Sequence, residues 1–242
     1  MPELDFQVSG VEPVRSGLTP LLQFRVRITK APVQSGQFET VQALILQAQV
    51  QIQAPQRFYS PHEKERLRDV FGTPDQWGQT LRNCLWVNAN TTTGAFMEST
   101  ETVLSVPCTL DLDVLATKYF SALQGGEVPL LFLFSGSVFY RNADGRLQVQ
   151  RISWEKDCVY RMPVSVWREL MEFHYPDNAW VWLRRDVYER LCAYRRDEGL
   201  ASWEQTMELL LRQAATYDSG VSEGPETSRL AEADAAHLEV SG

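Results

Sequence analysis

Residues 128–160 limit the possible folds of this chain more than any other stretch. Val128-Pro129-Leu130-Leu131-Phe132-Leu133-Phe134 opens a strongly apolar run, and Asn142-Ala143-Asp144-Gly145 supplies a short turn with glycine for a left-handed position. Arg146 onward then runs back to Tyr160. A run this apolar is stable only when covered, so the chain must build its core around a hairpin in a buried sheet. In the returning limb Leu147 and Val149 share one parity whereas Ile152 and Trp154 share the other, which predicts a bulge near Gln150-Arg151.

Other strands announce themselves by a period of two. Leu22, Phe24, Val26 and Ile28 alternate with Gln23, Arg25, Arg27 and Thr29, ahead of a loop marked by Gly36. A longer strand follows, with Leu44, Leu46, Ala48, Val50, Ile52 and Ala54 on one face and Gln47, Gln49, Gln51 and Gln53 on the other. That second face is a ladder of neutral amides; the simplest reading is a solvated sheet face, and the sharper one is a surface on which another chain docks. Strand signals return at residues 85–90 and 96–110, where Thr100, Thr102, Leu104, Val106 and Cys108 share a face and Pro107 points to an edge or bulge.

Helices punctuate these strands. Ser60-Pro61-His62-Glu63 and Thr73-Pro74-Asp75-Gln76 each combine a hydroxyl cap, proline at the first helical position and an acid or amide two residues further on, and Gly72 and Gly78 limit the two helices. Asp111 or Asp113 is expected to cap a helix carrying Leu112, Leu115, Tyr119 and Leu123, stopped by Gly125-Gly126. From Pro163 the helical period takes over: Val166, Trp167, Leu170 and Met171 face inward on a helix ending near Pro176-Asp177-Asn178, and a second helix spans about 185–198 with Val187, Leu191 and Tyr194 inward. Gly199 followed by Leu200 is a left-handed stop with its hydrophobic partner, and Ser202-Trp203-Glu204-Gln205 opens a last helix.

The resulting expectation is an α+β protein: an antiparallel sheet, as an open sheet, sandwich or partial barrel, with inserted short helices and a C-terminal helical region. Residues 1–162 form the β-rich domain, with a helical insertion at about 60–82 that packs across one end of the sheet and a helix at about 112–124. Residues 163–216 form a helical region packed on the sheet. Residues 217–242 hold six acids against one arginine, a net −5 out of the chain's −8, in a segment rich in Ala, Ser, Gly and Glu that has the composition of a disordered tail. The remaining 216 residues carry only −3, so the overall acidity says nothing about partners.

Signatures of chemistry are weak throughout. His62-Glu63-Lys64-Glu65-Arg66 begins like a zinc-binding helix, but Arg66 stands where the second imidazole is required, and His174 and His237 are far away in sequence. Ser135-Gly136-Ser137 lies within a strand, lacks the strand-to-helix elbow of a nucleophilic serine and reads as a spot for close packing. Neither glycine-rich phosphate-binding motif occurs. Glu98 and Glu101 have opposite strand parity, and Asp111 and Asp113 are explained by capping. Cys84, Cys108, Cys158 and Cys192 include no close pair, which excludes a two-cysteine zinc or redox motif and predicts four free thiols in a reducing compartment. No catalytic residue, metal ligand or cofactor is therefore expected. The amino-terminal residues lack a signal-peptide pattern and no window holds about 18 uninterrupted apolar residues, so the expected location is the cytosol without membrane insertion. Asn90-Thr91-Thr92 then has no use as a glycosylation site.

Two features point to contact with another molecule. Arg184, Arg185, Arg190, Arg195 and Arg196 make the one dense basic patch, with Asp186 and Glu189 beside them. A solvated helix face is the simplest reading, a protein-binding surface the next, and nucleic acid the last, because phosphate backbones need a broader basic field. Trp167, Trp180, Trp182 and Trp203 fall in the same region, where packing is the simplest role, although tryptophan beside arginine is also the composition of interaction hot spots. Trp180, Trp182, Arg184, Arg185 and Trp203 are accordingly the candidate partner-binding residues. The alternative is a ligand pocket between sheet and helices near His174, Tyr175 and Asp177.

The runs Tyr160-Arg161-Met162-Pro163-Val164-Ser165-Val166-Trp167, Tyr175-Pro176-Asp177-Asn178-Ala179-Trp180 and Leu183-Arg184-Arg185-Asp186-Val187-Tyr188, together with Leu131 to Tyr140, resemble an uncharacterised bacterial family encoded among nickel–iron hydrogenase structural and maturation proteins. The resemblance implies an accessory or assembly role, with a hydrogenase subunit or maturation factor as protein partner, and supplies no catalytic residues. A looser similarity of plan, a four-stranded antiparallel sheet followed by helices, is to the SecB-type export chaperones, and no motif accompanies it.

Overall fold

The computed structural model describes residues 2–31, 40–109, 114–142, 144–176, 181 and 183–220. The chain divides into two compact units, Met1–Trp180 and Val181–Gly242. In the first, eight antiparallel strands form two sheets. One has the order β1 (Leu4–Val14), β2 (Leu21–Lys30), β5 (Ser99–Pro107). The other has the order β4 (Cys84–Thr93), β3 (Thr40–Ile52), β6 (Glu127–Arg141), and beside β6 both β7 (Leu147–Arg151) and β8 (Asp157–Pro163). Of the three sheet forms left open by the sequence, this is two packed sheets rather than a closed barrel, and its eight strands divide three and five instead of forming one four-stranded layer.

The period-two pattern explains why the layers meet. Leu22, Phe24, Val26 and Ile28 on β2 and Leu44, Leu46, Val50 and Ile52 on β3 are all fully buried. The Phe24 ring lies edge-on to Phe132 at 5.2 Å, and Phe6 stacks on Phe134 at 4.8 Å, so rings of one sheet seat on rings of the other. Each such side chain removed from water contributes about 2–3 kcal/mol, which makes this seam the main source of stability. Thr91 and Thr102 hydroxyls meet at 3.2 Å where β4 passes to β5, and Lys156 Nζ pairs with Asp5 (2.8 Å) and Glu3 (3.4 Å) near β1 and β8. Pro107 stands on an edge strand, where its missing N–H costs nothing.

The limb after the hairpin turn departs from expectation. β7 pairs Arg151 with Ser137, and β8 resumes with Asp157 opposite Leu133, so residues 152–156 stand against only 134–136. Two extra residues loop out, not one, and the limb is two strands instead of one bulged strand. Gly136 lies opposite this excursion with φ +136°, and a Cβ there would sit 2.0 Å from the Ile45 carbonyl oxygen. The close packing expected at Ser135-Gly136-Ser137 is therefore a backbone-to-backbone approach.

Short helices gather at the end of the sandwich where β3 and β8 finish and β4 and β6 begin. They are α1 (Pro61–Arg66), α2 (Arg68–Phe71), α3 (Trp77–Thr80), α4 (Val114–Ala122) and α5 (Val164–His174). Ser60 and Glu63 form a full capping box, whereas Thr73 makes no side-chain cap and opens only a 3-10 turn at Pro74–Gln76. Phe120 joins the group by packing on Trp86 (5.1 Å) and stacking on Trp167 (5.5 Å). Arg57 and Glu63 pair at 3.0 Å with both side chains buried; Arg57 also donates to the carbonyls of Gly125 and Glu127, and Glu63 accepts from the Gln124 and Ser60 amides. This network ties the insertion to the α4–β6 link. α5 buries Val164, Trp167 and Leu170 with Val166 and Met171 half-buried, and it belongs to the first unit, which runs past the break expected at 162/163. Gly36, Asp111, Asp113 and the segment 221–242 lie outside the described residues.

In the second unit, α6 (Arg185–Asp197) ends at Gly199 (φ +67°), where the Leu200 amide donates back to the Arg195 carbonyl at 3.0 Å, the stop read from the sequence. α7 (Trp203–Gly220) starts with the Gln205 amide on Ser202 Oγ, while the Gln205 side chain returns to the Ala201 amide, one residue before the position a capping box uses.

Candidate functional site

Of the residues nominated for a ligand pocket, His174 and Tyr175 lie among the described residues. His174 sits at the end of α5, half-buried, with Nε2 3.4 Å from the Val14 carbonyl oxygen and the Tyr175 ring 6.4 Å away. Asp177 lies outside the described residues. Among the described residues no group of three or more His, Cys, Asp or Glu could hold a metal, and Cys84, Cys108, Cys158 and Cys192 form no disulfide. Burial raises the Cys158 thiol above its usual range.

Of the nominated tryptophan and arginine residues, Arg184, Arg185 and Trp203 lie among the described residues. Trp180 and Trp182 lie outside the described residues. Arg184 pairs with Asp186 (3.1 Å) and Arg185 with Glu189 (3.7 Å) at the open start of α6, exposed pairs that contribute little. Trp203 instead takes Arg195, whose guanidinium carbon is 4.5 Å from the ring centre, and Tyr188, whose ring is 5.5 Å away. Tyr188 and Arg195 are seven residues apart and so occupy one face of α6, a spacing visible in the sequence that the density of arginines at 184–185 obscured. Tyr194 adds a hydroxyl bond to Gln213 at 3.2 Å. No side chain of α6 is buried, and Leu211 on α7 is 70% exposed.

A second surface is the outer face of the five-stranded sheet. Gln47 stands between Asn90 and Ser135, Gln49 between Asn88 and Leu133, and Gln51 between Leu85 and Leu131. Gln51 Nε2 donates to Gln49 Oε1 at 3.0 Å. The amide ladder expected on β3 thus continues sideways onto β4 through Asn88 and Asn90, while on β6 it meets Ser135, Leu133 and Leu131, an arrangement that single-strand periodicity could not reveal. Gln53 departs from the ladder: its side chain is buried and its Oε1 has no hydrogen-bond partner among the described residues. A depression of about 420 Å³ lies among Gln47, Gln49, Asn88, Asn90 and Ser135, with Trp154, carried out by the 152–156 excursion and 85% exposed, also lining it. A smaller hollow, about 300 Å³, is lined by Leu4, Val138, Gln150, Ile152 and Lys156.

The fold is that of an α+β protein built on an antiparallel two-sheet sandwich, with a pair of helices in the second unit. The chain belongs to the family of unknown function DUF6084, whose model matches residues 1–219. No curated protein matches it. Among solved structures it is similar to β-glucosidase 3B from Thermotoga neapolitana in complex with α-D-glucose, at 12% identity over 66% of this chain and 17% of that enzyme, with a TM-score of 0.23. At that score the match carries no argument. No described helix is long and apolar enough to cross a membrane.

Proposed function

We propose that this protein is a non-catalytic accessory or assembly factor that holds another protein through its helical pair, and that the partner is a subunit or maturation factor of a nickel–iron hydrogenase system. The observation that carries the reading is α6: thirteen residues, none buried, whose Tyr188 and Arg195 meet Trp203 at the start of α7 in one aromatic–arginine cluster, with Leu211 further along α7 left exposed. Two helices cannot enclose a core, and an aromatic–arginine cluster with apolar neighbours is the composition of binding hot spots. The hydrogenase assignment rests on the resemblance of residues 131–191 described above. It follows that the cytosol is the place of action.

The test is recovery of partners on the tagged full-length chain in its native host. Wild type should retain a hydrogenase structural or maturation polypeptide in stoichiometric amount, and Leu211→Asp with Arg185→Glu should lose it while keeping the wild-type melting temperature. Both positions are exposed, so neither change disturbs packing. Retention of the same polypeptide by the double variant would reject the helical pair as the docking surface, and recovery of none by the wild type would reject the accessory role.

A further inference from the structure

We infer that the outer face of the five-stranded sheet binds a second copy of this chain, making the protein a twofold dimer with two sheets face to face. The argument is independent of the partner surface on α6 and α7. The 13 residues of β3 and the 10 of β4 include no Asp, Glu, Lys or Arg at any position. The same sandwich supplies its own comparison: the outer face of the three-stranded sheet carries Arg25, Arg27 and Glu101, with Arg27 and Glu101 paired across strands at 2.9 Å. This chain solvates a sheet face with charge where the face is meant for water. It does not do so on β3 and β4, and β4 is moreover an edge strand with none of the charged or proline residues that usually guard an edge.

What such a face fits follows from its chemistry. A charged partner finds no counter-charge on β3 or β4, and a purely apolar one would cover the amides of Gln47, Asn88 and Asn90 without offering them hydrogen bonds. A twofold axis brings each central group against its own copy, where a charge would meet its own sign. An amide carries both a donor and an acceptor and therefore complements itself. The charges of this face, Arg151, Asp157 and Arg161 among them, stand on the β7–β8 side, away from that centre. Leu85 (52% exposed), Val159 (53%) and Trp154 add apolar area around the amides. Three strands wide (β4, β3 and β6) at about 4.8 Å each and 13 residues long at about 3.4 Å each, the amide-bearing part of the face covers about 640 Å², to which the β7–β8 side adds. A standard stable interface buries about 800 Å² per partner.

The test is light scattering on the full chain at about 50 μM, above the micromolar limit of weak interfaces of this size. Twice the chain mass is expected for the wild type and for Ser105→Lys on the outer face of the three-stranded sheet, and the single-chain mass for Gln47→Lys with Asn90→Lys at an unchanged melting temperature. Hydroxyl-radical footprinting of the wild type serves if the double variant misfolds: Leu85 and Trp154 should lose reactivity as concentration rises while Phe58 does not. A wild-type monomer at this concentration overturns the inference, as does a dimer that keeps Leu85 and Trp154 reactive or survives both lysines in a folded protein.

Discussion

Single residues carry the polar and backbone constraints of the sandwich. Burial by itself would raise the Glu63 carboxyl, but amide donors from Gln124 and Ser60 and the Arg57 guanidinium outweigh it and hold the group below its ordinary range. A carboxyl lowered by folding stabilises the native state fully near neutral pH, and the contribution fades as pH falls below about 4.3 and through the lowered folded value. Glu63→Gln should therefore cost about 3 kcal/mol at pH 7, because it leaves the Arg57 charge buried alone, and should remove part of the acid-side slope of stability against pH in denaturant titrations. Arg57→Met with Glu63→Leu should cost less than Glu63→Gln, since no unpaired charge remains. The Tyr59 hydroxyl, pushed up to about 12 chiefly by burial, bonds to the Tyr119 hydroxyl, which burial raises further. Ultraviolet titration should show both phenols still protonated at pH 11, and the stability they confer, complete below about 10, declines only as pH rises toward the folded values. Gly136→Ala should destabilise by about 1–3 kcal/mol from its left-handed backbone, with the Ile45 carbonyl contact adding to that, measured as a shift in urea midpoint.

At the scale of elements, what could be read from sequence was what is local. The alternation in β2 and β3, the Ser60 cap, the Asn142–Gly145 turn and the Gly199 stop each depend on neighbours within a few residues, and each stands where the pattern placed it. Gly199→Ala should accordingly weaken the α6 stop by about 1 kcal/mol, seen as faster hydrogen exchange in the last turn of α6. The partition into two sheets was not legible. β2 pairs with β5 more than seventy residues away, and no periodicity within one strand names its neighbour. The excursion at 152–156 was half legible: the parity change was visible, but whether one residue or two loop out depends on how β6 accepts them at Gly136. Trp203 packs against Tyr188 and Arg195, not against the arginines at 184–185, because charge density marks a patch and only helical spacing marks a face.

At the scale of the whole molecule, the two proposed surfaces have different chemistry and so invite different partners. The neutral sheet face suits its own copy, and the aromatic–arginine helical pair suits a protein with an apolar, acid-rimmed surface. A dimer would display two helical pairs and raise the apparent affinity for a partner that is itself repeated, provided both can engage at once. The measurement that bears most directly on this scheme is the binding constant between the purified full-length protein and the polypeptide it retains from its host. The account predicts saturable binding that weakens by about 2 kcal/mol, roughly thirtyfold, in Leu211→Asp with Arg185→Glu. An affinity unchanged by that double substitution, in a protein that melts like the wild type, would contradict it.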